Sequence, residues 1–231
     1  MSGRTFHHLS STDTTATDNA PTVRLATVQD DIPALADLIN AAYKVGETGI
    51  LVDSDEYPFL RVTVADVEAW IQAEKLLVLT APTTTTATSP IRNESSSEQS
   101  VWGCVKVEIV KLPHNPTKDS ELVCGEWGCL AVTTRQQRHG YGRLLVHAAE
   151  NHAHNQLHCT HIRLELLAPT DWKQAHKERL REWYTGPRLG YQLLVPADYD
   201  KSTHRLPSGE LLGGKFLLAT NADFTTYRKK L

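Results

Sequence analysis

Apolar residues recur along this chain with two periods, and the switches between them mark out the elements. VRLAT, residues 23–27, is a short strand-like run. Asp30 and Asp31 then precede Pro33, as in the first turn of a helix. Leu35, Leu38, Ile39 and Ala42 follow at a spacing that gives this helix one apolar face. Thr63 with Asp66 resembles a capping box ahead of a second stripe, Val67, Trp70 and Ile71. Three continuous runs read as strands: LLVLT (76–80), VWGCVKVEIV (101–110) and WGCLAV (127–132). Helical spacing returns after Gly140 with Leu144, Leu145, Ala148, Ala149 and Ala153. IRLELL (162–167) is a strand whose alternation puts Arg163 and Glu165 on one face. A further helix is predicted from about residue 172 to 184, then strands GYQLLV (190–195) and FTTYRKKL (224–231). The order β-α-α-β-β-β-α-β-α-β-β predicts a mixed α/β layout around one sheet, without internal repeats.

Two stretches fall outside this pattern. Residues 1–21 are polar and lack the apolar centre of a secretory signal, so they read as a disordered tail. Residues 82–100, PTTTTATSPIRNESSSEQS between proline and serine, are low-complexity and read as a disordered hairpin insertion, because strand pattern resumes at once after them. The remaining span, 22–231, is the expected folded domain, and the 231-residue length suffices for a core.

A net charge of -3 gives no support to a general nucleic-acid or membrane surface, and no apolar run reaches membrane-spanning length. The four cysteines, 104, 124, 129 and 159, form no C-x-x-C pair, so neither a zinc knuckle nor a thioredoxin-like motif is indicated. Cys104 and Cys129 lie in apolar runs, where reduced cysteine acts as a small hydrophobe, and this points to a reducing, cytoplasmic setting.

Candidate chemistry centres on RQQRHGYGRLLVHAAE, residues 135–150. Gly140 and Gly142 stand where a helix begins, although glycine is costly to order in a helix. A helix start presents unpaired N–H groups and partial positive charge, and phosphate oxygens reach them best where no Cβ intervenes. Arg138 and Arg143 would add charge-assisted bonds. The competing explanation is a glycine pair that only makes a tight turn. A dinucleotide fingerprint would need a third glycine where Leu145 stands, and a P-loop would need Lys and Ser or Thr after Gly142.

Gln137-Arg138-His139-Gly140-Tyr141-Gly142 matches the Q/R-x-x-G-x-G/A signature of the GNAT superfamily of acyl-CoA-dependent N-acyltransferases. EWGCLAV resembles the strand before that loop, WYTGPRLGY (183–191) resembles the family's late helix-to-strand passage, and the element order is similar, so the resemblance spans roughly residues 22–231. It implies a GNAT-like α/β (α+β) fold: a mixed, mostly antiparallel central sheet, helices on both faces, and a splayed strand pair forming a V-shaped slot for coenzyme A. It also implies acetyl-CoA as co-substrate, with its pyrophosphate on the amides of Gln137, Arg138, His139, Gly140, Tyr141, Gly142 and Arg143, and its pantetheine arm along Leu130, Ala131 and Val132. The partners so implied are acetyl-CoA and an amine acceptor, small molecule or protein, with no nucleic acid, no membrane and no metal; a homodimer is compatible.

Acyl transfer to an amine needs a proton acceptor, a donor to the thioester oxygen and a proton donor for the thiolate. By resemblance, Glu126, eleven positions before Gln137, is the base, the Leu130 amide serves the oxyanion, and Tyr184 is the acid. Glu108 is a second candidate base. Tyr184 stands two residues further from Gly190 than the tyrosine in most of the family, and Gly186-Pro187 should end its helix near Thr185. His154, His158 and His161 would suit a metal only on one continuous helix, which should end between them. Acceptor choice falls to residues 43–61 and 196–214. There Asp53, Asp55 and Glu56 either attract a cationic amine or form a solvated loop. A non-catalytic acyl-CoA-binding regulatory module on the same fold is the alternative function.

Overall fold

A computed structural model of the chain describes residues 20–82, 100–110, 123–194, 205–213 and 215–231. The expected tail up to residue 19 and the expected insertion at 83–99 lie outside the described residues.

Strand β1 (Thr22–Leu25) leads to helix α1 (Ile32–Gly46), which starts where Asp31 caps it by accepting from the Ala34 amide at 3.0 Å. Helix α2 (Val64–Gln72) opens with the predicted reciprocal box, Thr63 and Asp66 each satisfying the other's backbone N–H. Strands β2 (Leu76–Thr80), β3 (Val101–Val110) and β4 (Cys124–Val132) follow, and then a short 3-10 turn at Thr134–Gln136. Helix α3 (Tyr141–Asn155), strand β5 (His161–Pro169) and helix α4 (Ala175–Thr185) come next. Two-residue strands β6 (Gln192–Leu193), β7 (Leu211–Leu212) and β8 (Phe216–Leu217) precede the long β9 (Ala222–Lys230).

Seven strands form one sheet in the order β1-β2-β3-β4-β5-β9-β6, and β7 with β8 makes a separate hairpin. Every pairing is antiparallel except β4 with β5, which α3 connects as a crossover. Helices cover both faces, as the resemblance implied. One core packs α3 and α4 on the sheet through Leu145, Val146, Ala149, Tyr184 and Trp127. The other packs α1 and α2 through Leu35, Ile39, Val67, Ile71 and Cys104. A third cluster joins Ile50 and Leu51, after α1, to Leu167 on β5 and Leu218 beside β8.

Two readings change. Among the described residues of GYQLLV the ladder covers Gln192 and Leu193, with Leu194 also donating to the Thr226 carbonyl, and as an outer strand it leaves Leu193 half exposed. The helix expected from residue 172 starts at Ala175, since Gln174 is extended at ψ 117°. The last strand inserts between β5 and β6, a placement that chain order does not reveal.

Candidate functional site

The parallel ladder between β4 and β5 is three residue pairs long, Cys124 with His161, Gly125 with Ile162 and Glu126 with Arg163. Beyond Glu126 the strands part: β4 stays on β3 as far as Val132, while β5 stays on β9 as far as Pro169. Among the described residues, the edge of β4 that carries Leu130, Ala131 and Val132 therefore has no strand partner on the β5 side. A bulge sharpens the divergence. Cys104 pairs with Ala131 and Lys106 with Gly128, so Cys129 and Leu130 together oppose Val105. Cys129 holds φ at 50°, a left-handed conformation unusual for a non-glycine residue and typical of sites where geometry serves function. On the closed side, β3 meets β4 so tightly that a Cβ on Gly103 would lie 2.7 Å from the Ala131 carbonyl oxygen.

The parted strands open towards the start of α3. The turn between them is exposed from Gln137 to Gly140, and Gln137 secures it by donating to the Val132 carbonyl at 3.1 Å. His139 stacks on Tyr141, which in turn packs on Trp102. Gly140 is the N-cap at φ 85° and offers no side-chain cap, so the first amides of α3 have no partner from that residue. The two glycines have different causes. Gly140 is required by its left-handed backbone. Gly142 is helical, and a Cβ there would find its nearest neighbour, the Trp183 ring, at 3.7 Å, ordinary contact distance. Neither backbone nor packing demands glycine at 142, so the turn alone does not account for the pair. A bare helix start facing the slot fits a phosphate group.

Where the strands part, the face towards α1 and α2 is charged. Arg163 Nε donates to Glu126 Oε2 at 2.7 Å, and Arg163 also lies 3.5 Å from Glu165. Burial and the negative charge of Glu126 push the Glu165 carboxyl above its usual range, against the pull of Arg163. Glu108, beside Glu126 in the β3–β4 register, is bonded to both Lys75 and Lys106. Burial works to raise its pKa, but the two ammonium groups hold it below the ordinary carboxylate range. That occupation makes Glu108 the weaker base. Glu165, which sequence reasoning placed on the same face as Arg163 but assigned no role, is the carboxylate with the raised pKa.

Tyr184 lies on the opposite face, buried among Trp127, Trp183 and Tyr227 at ring separations of 5.4–5.8 Å. Burial raises its hydroxyl pKa, with smaller contributions from Tyr227 and from the charge of Glu47. Its helix ends at Thr185, and the turn closed by Gly190 N donating to the Gly186 carbonyl at 2.8 Å absorbs the two extra residues. Tyr184 is thus both packed and kept protonated. The Glu47 carboxylate acts across the gap on Tyr184 and on Tyr43 of α1 alike. It is itself buried, bonded to Lys177 of α4 at 2.9 Å, with Oε2 unpartnered among the described residues. Glu47, Lys177 and Tyr43 carried no recognisable motif; only the fold brings them together.

The other candidates separate. His154 is in the last turn of α3, His158 is in the following turn at φ 53°, and His161 starts β5. Among the described residues no group of three or more ligand side chains is placed to hold a metal. Asp53 bonds Lys44 and the Phe59 amide, and Asp55 and Glu56 are exposed, which is a loop's own solvated structure.

Comparison with known proteins places this arrangement. Residues 98–189 match the acetyltransferase (GNAT) family. No curated protein matches the chain in sequence. Among solved structures, a GNAT-family acetyltransferase from Listeria monocytogenes is 15% identical with a TM-score of 0.53, covering 91% of this chain and 95% of that one. NAA60 of Arabidopsis thaliana, in complex with acetyl-CoA, is 13% identical with a TM-score of 0.53 over 92% and 99% of the two chains. The NatC complex bound to Gag peptide and CoA contributes a chain 16% identical with a TM-score of 0.51, over 91% and 98%. At such identities the likeness is one of fold: the chain has the GNAT acetyltransferase fold, and its residues 98–189 match the family that shares it.

Proposed function

We propose that this protein is an N-acetyltransferase that takes acetyl-CoA between β4 and β5 and passes the acetyl group directly to a primary amine. The observation that carries the reading is the parting of the two strands immediately below an uncapped, glycine-flanked helix start. The amides of residues 137–143, with Arg138 and Arg143, hold the pyrophosphate, and the free edge at Leu130, Ala131 and Val132 holds the pantetheine amides. Solved structures of this fold include complexes with acetyl-CoA and with CoA, which supports the reading.

In the transfer, the amine nitrogen forms the new C–N bond as the thioester C–S bond breaks. A free alkylammonium has a pKa of about 10, so the attacking amine must give up a proton, and Glu126 takes it at the point where the strands separate. Arg163 holds Glu126 in place and is itself in reach of Glu165. The Leu130 amide, displaced by the bulge, donates to the thioester oxygen as it gains negative charge. Tyr184, protonated at neutral pH as an ordinary tyrosine is, gives a proton to the leaving thiolate. The folded unit is residues 22–231, and four buried cysteines without disulfides suit a reducing, cytoplasmic setting.

The test is calorimetric titration with acetyl-CoA followed by thiol release across a panel of amines. Binding and turnover on at least one amine are expected. Tight binding with no turnover on any would replace the enzyme by a regulatory acyl-CoA-binding module.

A further inference from the structure

In the acceptor half of the site, the cation Arg61 has no carboxylate of its own among the described residues. Arg61 ends the connection between α1 and α2, and its position is set by the clamp on its neighbour. Asn40 of α1 donates to the Val62 carbonyl at 2.9 Å and accepts from the Val62 amide at 3.0 Å. The Arg61 guanidinium lies 4.8 Å from the centre of the Tyr43 ring and 5.6 Å from that of Phe216, and it bonds the side chain of Cys129, the bulge residue next to Leu130. Among the described residues, no Asp or Glu forms an ion pair with it. Glu47, whose charge reaches Arg61, is committed to Lys177. Burial works against the charge of Arg61, yet Tyr43, Cys129 and Glu47 hold its pKa above the ordinary value, so it remains a cation.

An arginine held between two rings and lacking a counter-ion retains donors for a planar, bidentate anion. The pyrophosphate is accounted for elsewhere, at the start of α3, on the opposite face from α1 and α2. We propose that the acceptor amine also bears a carboxylate, as a free amino acid does, and that Arg61 binds that carboxylate. Because Arg61 touches the residue adjoining Leu130, carboxylate and amine lie close together in the acceptor's covalent structure, as in an α- or β-amino acid. Neither an unadorned alkylamine nor a lysine side chain within a protein has this pairing. The inference rests on the N-acetyltransferase reading of the same site and names its substrate class.

The experiment compares matched pairs on the full chain with acetyl-CoA: free amino acids against their carboxamides, and β-alanine against propylamine. The acid of the preferred pair should show a kcat/KM at least about tenfold above its neutral partner, since a site built for a polar group rejects analogues that lack it. Arg61→Met should abolish that gap, lowering turnover of the acid by much more than that of the neutral amine, and Arg61→Lys should keep part of it. Equal rates for acids and neutral partners in the wild type would overturn the inference without touching the transferase reading, and need no variant to fold. A gap that survives Arg61→Met would also overturn it, leaving Arg61 as packing between two rings. If no amine of either series releases thiol, the transferase reading fails. Calorimetry of N-acetylamino acids against their amides, with CoA present, then decides the role of Arg61. Preference for the acid that Arg61→Met removes would uphold carboxylate binding; equal or absent binding would refute it.

Discussion

Alanine at Gly142 and at Gly140 should have opposite effects on stability, and a negative charge at 142 bears on the ligand. At Gly142 the added methyl would lie 3.7 Å from Trp183, so nothing in the protein resists it. The backbone there is helical, where alanine is preferred to glycine by about 1 kcal/mol at most. Gly142→Ala should therefore raise stability by up to about 1 kcal/mol, or roughly 2–4 °C in melting temperature for a chain of this size. At Gly140, φ is 85°, and a side chain in the left-handed region costs roughly 1–2 kcal/mol. Gly140→Ala should lower the melting temperature by a few degrees. Acetyl-CoA affinity separates the cradle from the turn. Alanine is one of the two residues the family signature accepts at 142, so Gly142→Ala should keep acetyl-CoA affinity. Gly142→Asp instead adds a carboxylate beside the position assigned to the pyrophosphate, and loss of even one well-made charged hydrogen bond there amounts to about 1.5–3 kcal/mol, tenfold or more in Kd. Scanning calorimetry and titration on the same preparations give both numbers. An aspartate variant at 142 that keeps the native fold and binds acetyl-CoA as well as wild type would refute the phosphate cradle.

Other consequences can be checked at single positions. Lys177→Met strands the buried Glu47 carboxylate and should cost about 3–5 kcal/mol in urea unfolding, most of it recovered by adding Glu47→Leu; a loss under about 1 kcal/mol would mean the pair is screened by water. Glu126→Gln should cut turnover by about 10²–10⁴-fold, with partial recovery at high pH where free amine is abundant. Because the charge of Glu126 helps to raise the Glu165 pKa, the same substitution lets Glu165 ionise at lower pH, so any acid limb it contributes should move down the pH scale; a profile parallel to wild type would take the base role from Glu126. Tyr184→Phe keeps the ring contact with Trp127, so kcat should fall while acetyl-CoA affinity holds, and unchanged turnover would pass the acid role to water or another hydroxyl.

Local signals were legible where a short stretch decides its own conformation. LLVLT and VWGCVKVEIV are strands over their predicted spans, the Thr63–Asp66 box caps α2, and Gly186-Pro187 ends α4 at Thr185. The glycine loop was visible because one contiguous run supplies the whole turn. What stayed hidden depends on pairing across the molecule. Glu165 alternated visibly with Arg163, yet its shifted pKa comes from Glu126, which only the β4–β5 register brings alongside. Glu47 and Lys177 are 130 positions apart, and a polar residue at a helix end looks the same in sequence whether it faces water or a buried partner. The two-residue strands β7 and β8 are too short to show any period.

The brevity of the β4–β5 ladder also has a mechanical meaning. Among the described residues, a ladder of three residue pairs, extended by the Thr160 and His161 amides on the Val123 carbonyl, joins one half-sheet, β1 to β4, to the other, β5 with β9 and β6, whereas β5 and β9 share nine. Such a seam is one of the sheet's weaker lines, and its amides should exchange with solvent before those of the β5–β9 ladder. A ligand lodged in it is a splint across both halves, adding about 2.7 kcal/mol of stability when present at a hundred times its dissociation constant. The lifetime of the folded protein against heat and proteases then rises and falls with the supply of its acyl donor.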